Sequence, residues 1–137
     1  MGIYDRDYTR TDRGGGAITA FSGHPALTAL VAVNLAVFIL WQVAPAFAGQ
    51  HFVVSLDAVG RRHAVYTLLT YAVSQYAPMH LAFNMLALWW FGRELEESVY
   101  GTRSFVFLYV FGALVSAGAH LAMNAARGYD VPALGAS

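Results

Sequence analysis

His80 and Asn84 stand four residues apart in the stretch His80-Leu-Ala-Phe-Asn84. On a helix that spacing stacks two side chains about one turn apart on one face. Their neighbours are Leu81, Phe83, Met85, Leu86, Leu88, Trp89, Trp90 and Phe91, all suited to contact with lipid or another helix. An imidazole and a carboxamide in such company are costly unless they face a polar interior and serve it. Two roles fit: a functional site, or a pair of interhelical hydrogen bonds. A second pair, His120-Leu-Ala-Met-Asn124, repeats the pattern 40 residues later. It lacks the block Trp89-Trp90-Phe91-Gly92-Arg93-Glu94 that follows the first pair, so it reads as interfacial polar residues at a helix end. His80 and His120 have no Asp, Glu or Cys at ligand spacing, and His-Glu-x-x-His is absent, so no metal is implied.

Composition sets the medium. Of 137 residues, 58% are hydrophobic and 12% charged, with mean hydropathy +0.49. A soluble domain carries about 25% charge, so the deficit points to a membrane protein. The net charge is zero, which gives nucleic acid no electrostatic hold. Without Cys there is no disulfide, thiolate metal site or Cys nucleophile. Without Lys there is no Ser-Lys dyad.

The elements that must position the pair follow from the apolar runs. Residues 1–24 are polar, with Asp5, Arg6, Asp7, Arg10, Asp12 and Arg13 ahead of Gly14-Gly15-Gly16, and read as a flexible tail. The triple Gly has no Gly-Lys-Ser/Thr ending and no preceding strand, so it is a linker and not a phosphate loop. Residues 25–48 form a first apolar run, opened by Pro25 and closed by Trp41 and Gln42. About 20 such residues cross a bilayer. Ala46-Phe47-Ala48 resembles a signal-peptidase site, but the tail is long for a signal peptide and further spans follow. Residues 49–64 mix polar and apolar types, as a loop at the membrane interface would. Pro78 marks a helix start. The second span covers 79–92, a charged turn 93–103, and the third span 104–126. The third carries Gly112, Ala113, Ser116, Ala117, Gly118 and Ala119, a small-residue stretch expected to meet the second span. Residues 25–137 thus form one all-α, multi-span transmembrane bundle.

The order of motifs resembles the rhomboid family of intramembrane serine proteases. The shared features are His80-x-x-x-Asn84, the aromatic run after it, and Gly92-Arg93-x-Leu95-Glu96 followed by Tyr100-Gly101. They continue through Phe105 to Tyr109 and end on Gly135-Ala136-Ser137, which looks like the start of the family's Gly-x-Ser-Gly nucleophile motif. The resemblance implies the first three spans of a six-helix fold, with a fourth just starting. It implies Ser137 as nucleophile, His80 and Asn84 as oxyanion donors, and Gly135 as the residue that lets the loop backbone approach substrate. It implies a transmembrane protein substrate cut near the outer leaflet of the bilayer, with no cofactor. Acyl transfer needs a base beside the nucleophile. In the family that base is a His of the sixth span, so this chain is expected to be truncated and inactive alone. Tyr66-Thr67 stands where the family often has Trp-Arg, and Gln75 where it often has a further His.

Two rivals come from other classes. One is an inactive rhomboid relative that binds membrane clients. The other is a small multi-span transporter subunit, which would want polar residues through the whole bilayer depth. Arg placement sets orientation. Arg6, Arg10, Arg13, Arg93 and Arg103 fall on one side, and Arg61, Arg62 and Arg127 on the other. The richer side faces the cytoplasm. The protein is therefore expected in the cell membrane with its N-terminus inside, and with His80 and Ser137 near the outer surface.

Overall fold

In the computed structural model of the chain, residues 23–99 and 101–135 are described. The tail over 1–24 therefore lies almost wholly outside the described residues. Three long helices dominate: α1 Pro25–Val43, α4 Pro78–Glu94 and α5 Gly101–Arg127. Two short ones, α2 Pro45–His51 and α3 Thr67–Thr70, lie in the connection between α1 and α4. Among the described residues, α1 and α5 are long and apolar enough to cross a membrane. α4 has 17 residues, about 25 Å at the helical rise, so with the wide turn Leu95–Val99 after it it comes close to bilayer thickness.

Proline and glycine set the boundaries. The first span was expected to run to residue 48, but α1 stops at Val43. Pro45 cannot continue a helix, and instead it opens α2 at a first-turn position. Pro78 opens α4 in the same way, with Ala77 extended before it. α5 ends where Gly128 turns left-handed at φ +73°, the usual glycine stop. The expected interface loop over 49–64 is more ordered than its mixed composition suggested. It contains the end of α2 and a wide helical turn, Asp57–Arg61, with Val53, Val54, Ser55 and Ala58 buried.

α1 has no side-chain cap of its own. Its orphan N–H groups are met from 70 residues away. Glu96 accepts from Ala26 N and Leu27 N, both at 2.9 Å, and from Thr102 Oγ1 at 2.9 Å. One carboxylate thus ties the starts of α1 and α5 to the end of α4. Around it Leu27, Phe105, Leu88, Trp89 and Leu95 form one apolar cluster. Gly92 lets the three helices meet: a Cβ there would stand 3.0 Å from Leu27 Cδ1 and 3.2 Å from Phe105 Cζ. The Gly-Arg-x-Leu-Glu motif is therefore a helix junction, with glycine for space and glutamate for the cap.

A second cluster joins Tyr71, Ala72 and Val54 to Ala113 and Ala117 of α5. Here the structure corrects an expectation. The small face of α5 packs on the connection before α4, not on α4 itself. Ala113 and Ala117 share a face four residues apart, whereas a Cβ on Gly112 or Gly118 meets nothing within 4 Å. Composition marked the small residues, but only packing selected the face.

Two predictions follow from the junction. Gly92→Leu should cost about 1–3 kcal/mol by overpacking, and Gly112→Leu should cost little. Thermal unfolding in detergent reads both, and equal losses would sink the assignment. Glu96→Ala should cost about 1–2 kcal/mol through the lost cap. Burial raises the Glu96 pKa, but the Leu27, Ala26 and Thr102 hydrogen bonds and the nearby His24 outweigh it, leaving the carboxyl below its ordinary 4.5. The cap's contribution is then full above pH 4.5 and is lost as pH falls through the lowered value. Glu96→Gln should flatten this acid-side fall in melting temperature.

Candidate active site

The site assembles where the start of α4 meets the loop after α5. His80 lies in the first turn of α4 and Asn84 one turn on, as their spacing requires. The segment before α4 forms the floor. Tyr71 donates its hydroxyl to the Ala113 carbonyl at 2.9 Å. Trp41 of α1 donates its indole N–H to Ser74 Oγ at 2.8 Å. Ser74 and Gln75 are almost completely buried. These bonds hold non-helical backbone at the membrane end of α4, where unpaired polar groups would be costly.

Gly135 rests on this floor. Its N–H donates to the Tyr71 carbonyl at 2.8 Å. Its φ is +78°, and a Cβ would come within 3.3 Å of the Ser74 carbonyl and 3.5 Å of His80 Cε1. Any other residue would be strained and crowded there. The tertiary fold thus brings Gly135 onto His80 across 55 residues of sequence. Ala136 and Ser137 lie outside the described residues.

A cavity of about 180 Å³ opens beside Asn84, lined by Asn34, Ala72, Gln75, Met85, Leu88 and Tyr109. Asn34 donates to the Leu30 carbonyl in its own helix at 2.8 Å. Gln75 is 1% exposed, and its Oε1 has no hydrogen-bond partner among the described residues. Its wall mixes the polar groups of Asn34, Gln75, Asn84 and Tyr109 with apolar Ala72, Met85 and Leu88. Sequence reading singled out Gln75 as a departure from the family. It missed Trp41, Ser74 and Tyr109 as parts of the site. Trp41 looked like an interface residue because its partner lies 33 residues away.

His120 and Asn124 sit on α5. His120 Nε2 donates to the Val131 carbonyl at 2.7 Å and Asn124 Nδ2 to the same oxygen at 2.8 Å. They are more than interfacial polar residues, because they hold the loop that leads to Gly135. Among the described residues no group of three or more metal-binding side chains occurs.

Comparison with known proteins gives the family. The Rhomboid domain model matches residues 62–137. The chain is 33% identical over 100 residues to RHOMBOID-like protein 12, mitochondrial, of Arabidopsis thaliana, covering 71% of this chain and 29% of that protein. It is 30% identical over 118 residues to Presenilin-associated rhomboid-like protein A, mitochondrial, of Danio rerio, covering 84% and 30%. It is 34% identical over 100 residues to Rhomboid protein 1, mitochondrial, of Saccharomyces cerevisiae, covering 70% and 28%. The chain therefore spans about three tenths of the length of these relatives. No solved structure matches it significantly. With the domain matched over more than half of its residues, this chain belongs to the rhomboid family.

Proposed function

We propose that the chain supplies the nucleophile and oxyanion half of an intramembrane serine endopeptidase of rhomboid type. The observation that carries this reading is the seat of Gly135 against His80, one turn from Asn84 and beside the polar cavity. By family resemblance Ser137, two residues further on in sequence, is the nucleophile.

In this reading Ser137 Oγ attacks the scissile carbonyl of a transmembrane substrate. Negative charge then develops on the carbonyl oxygen. His80 and Asn84 offer N–H groups to it, in surroundings where such bonds are strong because water is scarce. Ser is a weak nucleophile without a base. His120 is spent on the Val131 carbonyl and His80 faces Gly135. By family resemblance the base is a His of the sixth span. The substrate enters from the lipid, so the bilayer is a working partner and no cofactor takes part.

The Arg distribution supports an orientation with the N-terminus cytoplasmic and the His80 end at the outer leaflet of the cell membrane. A reporter fused at residue 98 should be read from the cytoplasmic side, and an outer-side signal would reverse the assignment.

Activity is tested by cleavage of a tagged transmembrane substrate in liposomes. The protein extended beyond residue 137 should cleave, and the 137-residue chain alone should not. Ser137→Ala should abolish cleavage by the long form. Asn84→Ala should lower kcat by roughly 10²–10³-fold, the usual cost of one oxyanion donor. Cleavage that survives Ser137→Ala would refute the reading. A long form that binds a transmembrane client without cutting it would favour the inactive client-binding relative.

A further inference from the structure

The loop after α5 is fastened at nearly every second residue. Asp130 accepts from Leu56 N at 2.8 Å through Oδ1 and from Asp57 N at 2.9 Å through Oδ2. Val131 accepts from His120 and Asn124. Ala133 and Val54 exchange both backbone hydrogen bonds, at 2.9 and 3.0 Å, as an isolated antiparallel bridge. Gly135 closes the series on Tyr71. Pro132 stiffens the middle.

These fastenings are not equivalent. Those at Val131 and Gly135 reach α5 and the segment before α4. Asp130 and Ala133 instead reach the connection that follows α2, which contributes no side chain to the site. The Asp130 contact is bidentate and charge-assisted, the stronger kind. It meets two N–H groups at the start of the turn Asp57–Arg61, which otherwise lack helical partners. Asp130 itself is exposed and belongs to neither apolar cluster.

We propose that Asp130 is a positioning residue: by gripping the backbone of Leu56 and Asp57 it makes the first connection the splint that sets Gly135 against His80. The proposal deepens the protease reading and rests on it. The first connection then governs catalysis without touching substrate. Losing the grip leaves the helices packed, since Asp130 belongs to neither cluster, but loosens the loop between α5 and Gly135. A misplacement of about 1 Å can cost on the order of 10²-fold in rate.

The chain contains no cysteine, so the splint can be read directly. A hydrogen-bonded antiparallel pair has its Cα atoms about 5.5 Å apart, inside the range a disulfide accepts. In the long form, freed of any other cysteine, Val54→Cys with Ala133→Cys should cross-link rapidly on mild oxidation and keep Ser137-dependent cleavage. Adding Asp130→Ala should slow cross-linking several-fold. In the reduced state it should lower kcat by about 10–100-fold, with KM within twofold and the melting temperature little changed. Oxidation should then restore most of the lost kcat, because the disulfide replaces the grip. Asp130→Asn, which keeps one acceptor, should fall between. Parental kcat in Asp130→Ala would overturn the proposal, as would failure of oxidation to restore it. If the parent shows no Ser137-dependent cleavage, the protease reading fails on its own. The cross-linking rates still decide the splint: slower closure with Asp130→Ala upholds the positioning of the loop, and unchanged closure refutes it.

Discussion

Backbone polar groups within a bilayer have no water to bond, and an unpaired one costs several kcal/mol. Everything distinctive in this chain follows from how it leaves helical geometry under that constraint. The helices satisfy themselves except at their ends. At several of these ends and breaks a specific side chain takes up the orphans. Glu96 covers the first N–H groups of α1. Asp130 covers the turn after α2. His120 and Asn124 cover the Val131 carbonyl. Charged and amide side chains are few, and many of them are spent on backbone rather than on one another.

This use explains why the motif glutamate matters as much as the site residues. A carboxylate at the start of α1 meets two N–H donors and the positive end of the helix dipole. It is 4% exposed, so water competes poorly for it. The contact fixes where α1 begins relative to α4. Trp41, most of a helix further along α1, is then able to reach Ser74. The cap at one end and the indole at the other hold α1 as a rigid strut beside the site, although α1 contributes only Asn34 to the cavity wall.

The site shows the complementary economy. The candidate site sets irregular backbone close to a polar group, which a membrane interior resists. The chain meets the demand by laying one irregular segment on another. Gly135 bonds to Tyr71, whose hydroxyl bonds to α5. Glycine is required because the two backbones approach too closely for a side chain. The cavity beside Asn84 is lined in part by Ala72 and Gln75 of the same irregular segment.

Much was legible in the one-dimensional chain. The apolar runs announced helices because bilayer thickness sets their length. Prolines 25 and 78 marked helix starts because a missing N–H is harmless only in a first turn. The four-residue step from His80 to Asn84 fixed their common face because helical pitch is local. These are properties of neighbours in sequence. Distance in sequence hid the rest. Nothing local distinguishes Glu96 from an ordinary turn carboxylate, Asp130 from a solvated loop acid, or Trp41 from an interface aromatic. Each takes its meaning from a partner 33 to 74 residues away. The face of α5 was hidden for the same reason: small residues at 112, 113, 116, 117 and 118 circle the helix, and only contact with Val54, Tyr71 and Ala72 chose Ala113 and Ala117. Sequence alone determined the medium, the helices and the common face of His80 and Asn84, since those obey short-range rules. Tertiary structure alone decided which polar groups close the helix ends and where Gly135 comes to rest, since hydrogen bonds between distant backbones exist only once the chain has packed.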